Sequence, residues 1–193
     1  MSKFQLIALA GTNGAGKDTV GELLAKEHNY IFISVTDLLR KEAERRGLPP
    51  SRENTRMISA EWRREHGLAV LVDRAYEAYK KTGDKYAGVV MSSMRNPGEA
   101  DRILELGGAM VWVDADPKVR YDRIRSRTGR EVDDDKTFEE FLAEEEHEMH
   151  PQPGADAATL NTAAVKERSN VFLENSTNNM DDFRREIESK LGL

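Results

Sequence analysis

Gly11-Thr-Asn-Gly-Ala-Gly-Lys17-Asp18-Thr19 is the stretch from which the rest of this 193-residue chain is read. It fits G-x-x-x-x-G-K over Gly11 to Lys17. Before it runs Phe4 to Ala10, a short apolar segment that reads as a buried strand. After it, Val20, Leu23 and Leu24 fall at helical spacing within Lys17 to His28. Strand, loop and helix in that order are the context this spacing needs to bind phosphate. Glycines let the backbone bend so that successive N–H groups turn toward phosphate oxygens. The following helix adds the partial positive charge of its N-terminus, and Lys17 is expected to reach the β- and γ-phosphates. Gly11, Asn13, Gly14, Ala15, Gly16, Lys17, Asp18 and Thr19 are therefore the candidate nucleotide-binding residues.

Outward from this loop, apolar runs and helical patterns alternate. Strands are expected at Tyr30–Ile33, Tyr86–Met91, Ala109–Val113 and Asn170–Leu173. Helices are expected from a Thr36 cap to about Arg46, from Ser51 to Gly67, and from Leu68 to Gly83. Further helices are expected from Pro97 to Leu106, from Pro117 to about Arg127, and from Asp181 to Leu191. Phe138, Phe141, Leu142 and Met149 have the spacing of a one-sided helical stripe in the charged segment 128–154. The alternation is that of an α/β fold: a five-stranded parallel sheet covered by helices on both faces. No repeat or low-complexity linker divides the chain, and its length suits one domain, 1–193.

The formal net charge is −6, from 29 Lys+Arg and 35 Asp+Glu, and there is no cysteine. Disulfides and cysteine-based zinc sites are excluded, which fits a cytoplasmic protein. An acidic total argues against a general nucleic-acid binder. No apolar run approaches the ~20 residues of a membrane span. The first apolar stretch meets a glycine-rich loop rather than a cleavage site, so a secretory signal is not expected. The charge is unevenly placed: residues 131–148 hold ten acids and one lysine, and residues 117–130 hold six bases and one acid. The acidic segment is expected either to fold away from bound phosphates or to pair with Arg123–Arg130 until nucleotide displaces it. His147 and His150 with Glu144 and Glu146 are read as solvated groups rather than metal ligands, and Trp62 and Trp112 as core residues.

A GTPase would show N-K-x-D and D-x-x-G, and neither is present where required. Instead the loop resembles that of nucleoside monophosphate kinases, and its G-K-D-T form is similar to that of deoxynucleoside monophosphate kinases. Ser34-Val-Thr-Asp-Leu-Leu-Arg40 resembles the adenylate kinase segment whose Asp and Arg lie at the acceptor site, with Val35 in place of a threonine. Met91-Ser-Ser-Met-Arg95 resembles the strand-end segment whose Arg clamps the acceptor, with Ser92 in place of the family's Asp. Tyr121-Asp-Arg-Ile-Arg-Ser-Arg127 is similar to the lid hinge, where two arginines four apart close on the transferred phosphoryl group. The whole layout most resembles archaeal-type dephospho-coenzyme A kinase-like proteins of the same superfamily. Asp37–Arg40, Glu42-Ala-Glu-Arg-Arg-Gly-Leu48 and Asp134-Asp-Lys-Thr-Phe-Glu-Glu-Phe141 carry that likeness.

The resemblance implies a three-layer P-loop kinase fold, with an acceptor-binding helical insert over about 36–82 and a small lid over about 127–154. It implies ATP as donor and a small phosphorylated acceptor, a nucleoside monophosphate or dephospho-coenzyme A, with no nucleic acid or membrane as partner. Lys17, Arg123, Arg127 and Asp37 are the implied catalytic residues, and Asp37, Arg40 and Arg95 the acceptor-binding ones. Asp37 would be the base for a hydroxyl acceptor, or else a helix brace. Asp18 stands where a Mg²⁺-ligating Ser or Thr usually follows the lysine. Either it helps hold Mg²⁺, together with Thr19, or it faces away. Asn175–Asn179 follows the last strand, where related kinases wrap the donor adenine. A second class of function stays open: a nucleotide-dependent switch or assembly ATPase with no small acceptor.

Overall fold

The computed structural model describes residues 3–126, 136–151, 153–177 and 179–193. Three of its strands are buried along nearly their full length: β1 (Leu6–Gly11), β3 (Gly88–Ser92) and β4 (Ala109–Asp114). Continuous burial is what strands covered on both faces require. β2 (Tyr30–Ser34) and β5 (Val171–Glu174) form the edges, and the sheet runs β2-β3-β1-β4-β5 with every pairing parallel. β1 is central. Register sets Leu9 beside Ser92, Ser34 beside Ser92, and Gly11 beside Val113. The loop after β1 thus opens between the carboxyl ends of β3 and β4, the crevice where open parallel sheets bind ligands.

Side chains alternate across β1 and feed two cores. Ile7 and Leu9 pack with Leu24 of α1 (Lys17–Glu27) and with Phe183 and Ile187 of α9 (Met180–Leu191). Leu6, Ala8 and Ala10 pack on the other face, under α2 (Val35–Arg45), α3 (Arg52–His66), α4 (Val70–Lys80), α5 (Pro97–Glu105) and α8 (Thr162–Arg168). Trp62 and Trp112 both lie in that second core, as expected. A third, small cluster of Tyr121, Ile124, Phe138 and Phe141 joins α6 (Pro117–Arg125) to α7 (Phe138–Met149).

The caps follow the sequence closely. Ser51 caps α3, and Asn96 with Glu99 forms a capping box ahead of Pro97. Two differences stand out. The cap of α2 is Ser34, whose hydroxyl accepts from the Asp37 N–H at 3.4 Å, so that helix begins at Val35 rather than after Thr36. α8 was not expected: it is seven residues long, too short for a clear apolar period, and Val165 alone among its apolar side chains is wholly buried. Of the expected lid, 127–135 and 152 lie outside the described residues, and Phe138–Met149 forms α7, packed on α6 and α8.

Candidate functional site

The loop from Gly11 to Lys17 depends on backbone that only glycine adopts cheaply. Gly11 has φ +139°, and a Cβ there would stand 1.9 Å from the Val113 carbonyl oxygen. Gly16 caps α1 in the left-handed region, and a Cβ on it would meet the Asn175 amide at 2.5 Å. The cap makes no side-chain hydrogen bond, so the first-turn N–H groups of α1 have no side-chain acceptor at that position. Lys17 Nζ donates to the carbonyls of Gly11 at 3.0 Å and Thr12 at 2.6 Å, folding the ammonium over the loop.

Neighbouring strands brace the loop. The Thr12 hydroxyl donates to Asp114 at the end of β4, at 2.8 Å. Burial opposes ionisation of Asp114, but hydrogen bonds from Trp112, Thr12 and the Ala115 N–H, with the Lys166 ammonium nearby, hold its pKa below the usual value. Buried Asn175, just past β5, donates through Nδ2 to the Ala15 carbonyl at 2.8 Å. Arg123 in turn donates to the Asn175 carbonyl at 2.8 Å, so it stands at the β5 side of the loop.

Asp18 points toward the end of β3, where the fully buried Ser92 donates its hydroxyl to the carboxylate at 3.3 Å. Loop and strand end therefore exchange the groups the resemblance leads one to expect. The acid stands on the helix that follows the lysine, and the hydroxyl stands at the strand. Thr19 lies one residue further along α1, outside the cavity wall.

In front of the loop lies a cavity of about 620 Å³. Asn13, Gly14, Gly16, Lys17 and Asp18 form one side of it, and Arg40, Arg52, Arg56, Arg63 and Arg95 are distributed around the rest. Of the residues named from sequence, Arg40 and Arg95 thus share one chamber with Lys17. Asp37 is not part of the wall; its carboxylate accepts from Arg40 Nη1 at 2.8 Å on the exposed side of α2. Arg123 is not part of it either, and Arg127 lies outside the described residues, as does Arg130.

Arg52, Arg56 and Arg63 were not foreseen. With Ser59 they occupy positions i, i+4, i+7 and i+11 of α3, a single stripe along one face, and that spacing was the available signal. Arg63 is buried and paired with the equally buried Glu99 at 2.6 Å. The second oxygen of Glu99 accepts from the backbone N–H groups of Arg95 at 2.8 Å and Asn96 at 3.1 Å. The pair therefore ties α3 to the turn that presents Arg95.

Of the acids of α7, Glu148 lines this cavity, whereas Glu139, Glu140, Glu144 and Glu146 are exposed. Glu144 lies 3.7 Å from Arg52, and Glu145 accepts from Arg120 at 2.9 Å. Glu148 accepts from Arg56 and from Arg95, each at 2.5 Å. Burial works against its ionisation, but the charges of Arg95 and Arg56 prevail and hold its pKa below the usual value. These partners lie outside Arg123–Arg130, pairing with which was one of the two arrangements expected, and residues 127–130 of that stretch lie outside the described residues. The aromatic contacts between Tyr121, Phe138 and Phe141 dock α7 one turn earlier on α6, beside Arg120. Among the described residues, the grouping able to hold a metal ion is Glu27, His28 and Glu188, which does not include His147 or His150. No helix among the described residues is long and apolar enough to cross a membrane.

Comparison with known proteins agrees with this geometry. A family model described as an AAA domain matches residues 7–150. A UPF0200 protein from Pyrobaculum aerophilum is 31% identical over 186 residues, covering 94% of each chain. A UPF0200 protein from Hyperthermus butylicus is 34% identical over 137 residues, covering 70% of this chain and 71% of its own. Among solved structures, a shikimate kinase from Bacteroides thetaiotaomicron superposes with a TM-score of 0.59 at 16% identity, over 97% of this chain and 98% of the other. A gluconokinase from Sinorhizobium meliloti superposes with a TM-score of 0.53 at 21% identity, over 96% and 90% respectively. Those identities speak to the fold alone, and the fold is that of the P-loop kinases. The chain belongs to the UPF0200 family, with an AAA-type domain built on a P-loop kinase fold.

Proposed function

We propose that this protein is a cytoplasmic kinase that transfers the γ-phosphoryl group of ATP to a small phosphorylated acceptor of nucleotide type. The observation that carries the reading is that Lys17 and the arginines Arg40, Arg56 and Arg95 line a single cavity. Phosphoryl transfer asks the protein for positioning and charge neutralisation more than for covalent chemistry. The backbone N–H groups of Gly14 to Lys17 and the Lys17 ammonium hold the donor phosphates. Arg40, Arg56 and Arg95 hold the acceptor's own phosphate. Arg123 and Arg127 are the side chains we assign to neutralising the transferring group.

Mg²⁺ is implied by the fold, and the donor set suits it. Asp18 and Ser92 offer hard oxygen ligands beside the loop, with Thr19 adjoining, and Mg²⁺ bound there would neutralise charge between the β- and γ-phosphates. A nucleoside monophosphate presents an ionised oxygen and needs no base. The ribose hydroxyl of dephospho-coenzyme A benefits from one; Asp37 is the carboxylate assigned to that task, and it would have to leave Arg40 and turn inward from the exposed side of α2 to reach the cavity.

The test is ATP consumption with nucleoside monophosphates, deoxynucleoside monophosphates and dephospho-coenzyme A, each offered separately. Turnover that depends on one of these acceptors supports the kinase. Slow hydrolysis indifferent to all of them, but stimulated by a macromolecule, would favour the switch or assembly ATPase instead.

A further inference from the structure

Three carboxylates, Asp18, Glu53 and Glu148, line the cavity and oppose the anion it is built to hold, and Glu148 is the one that bridges two of its arginines. It lies near the end of α7, and its backbone is fixed. The buried Thr162 hydroxyl donates to the Glu148 carbonyl at 2.7 Å, and neighbouring Met149 packs against the main core. Only its side chain is at liberty to move. That side chain spans the cavity wall, one oxygen accepting from Arg56 Nη2 and the other from Arg95 Nη1. Each guanidinium gives it a single nitrogen out of a five-donor fork. Among the described residues, the side chains of Arg56 and Arg95 have no other partner.

A carboxylate with two oxygens bridging two arginines is the arrangement a phosphate would adopt in the same place. With Glu148 charged, the three side chains sum to one positive charge; without it they would sum to two. Resting on the kinase reading above, we propose that Glu148 is a specificity-determining residue of the acceptor site. Its carboxylate holds the place of the acceptor's anionic group between Arg56 and Arg95 and keeps free inorganic phosphate out. A genuine acceptor displaces the carboxylate because its organic body gains further contacts in the 620 Å³ cavity, which a bare anion does not make.

The experiment titrates inorganic phosphate calorimetrically into protein whose loop is already saturated with a non-hydrolysable ATP analogue and Mg²⁺. Glu148→Gln is expected to bind phosphate at least tenfold more tightly than the unaltered chain. Glu148→Asp, which keeps the charge, is expected to stay within threefold of it. Arg95→Ala in the Glu148→Gln background should cancel the gain. Unchanged or weaker phosphate binding by Glu148→Gln at an unchanged melting temperature would make Glu148 a structural strut and overturn the proposal. A gain that survives Arg95→Ala would overturn it as well. Failure of the analogue itself to bind would count against the kinase reading, so the two failures are distinguishable. Should Glu148→Gln not fold, Glu148→Ala and Arg56→Ala supply the same comparison.

Discussion

The two halves of the cavity are made in opposite ways. The donor half is one contiguous stretch, Gly11 to Lys17, whose geometry comes from glycine backbone and from the register of β1 against β4. The acceptor half is assembled from the consecutive helices α2 and α3, the turn after β3, and α7, segments spread over more than a hundred residues of the chain. Consequently the donor half is held by backbone fit, and the acceptor half by ion pairs: Arg40 with Asp37, Arg63 with Glu99, and Arg56 and Arg95 with Glu148. Substitutions in the first should abolish chemistry. In the second they should shift affinity and stability by graded amounts.

The largest effect expected is on the donor side. Lys17→Ala should lower acceptor-dependent ATP turnover by about 10³-fold or more, since the ammonium is assigned to the phosphates that change charge. Steady-state ATP consumption measures it, and near-normal turnover would break the distinction between the halves. Next comes the buried ion pair. Glu99→Gln leaves Arg63 buried with an unmatched charge and weakens the support of the Arg95 turn, at a cost of about 3–5 kcal/mol by urea unfolding. A loss under about 1 kcal/mol would mean that the acceptor half is not held by its charges.

A smaller effect is expected where the two halves meet the β5 edge. Asn175→Ala removes the amide that bonds the Ala15 carbonyl and should cost about 1–3 kcal/mol. Nucleotide affinity, by calorimetry, should fall with it. The smallest effect is on pH dependence. Asp114 and Glu148 both have folded-state pKa values below their ordinary 3.8 and 4.5. The unfolded chain therefore binds more protons in that range, and stability rises with pH through it. Their contribution is complete above those ordinary values and is lost as pH falls through the lowered folded ones. Asp114→Asn should make the acid-side fall in melting temperature shallower; an unaltered slope would deny Asp114 this role in bracing the loop.

What could be read in advance follows the same division. The strands, the loop and most helix caps are local features, and the alternation around Gly11–Lys17 carried the parallel sheet with it. Arg40 and Arg95 came from short segments with a family likeness. Arg52, Arg56 and Arg63 form a stripe on α3, but a charged stripe looks like a solvated face until the fold turns it inward. Glu148 could not be singled out among the ten acids of 131–148, because nothing near it in sequence marks the two arginines it meets. α8 escaped notice because seven residues hold too few apolar positions to set a period. The local charge of the acidic segment was legible, but its partners were not. Aromatic packing of α7 on α6, a tertiary contact, chose Arg120 and the cavity arginines.

The claim that both halves serve one reaction is tested most directly by phosphoryl transfer in parallel on the unaltered chain and on Arg95→Ala. ADP formation is followed with each nucleotide-type acceptor and with none. One phosphorylated acceptor is expected to raise ADP formation well above the acceptor-free rate, with the label from γ-³²P-ATP recovered in that acceptor. Arg95→Ala is expected to remove the stimulation while leaving ATP binding intact. Hydrolysis that no acceptor stimulates, with all label recovered as inorganic phosphate, would contradict it.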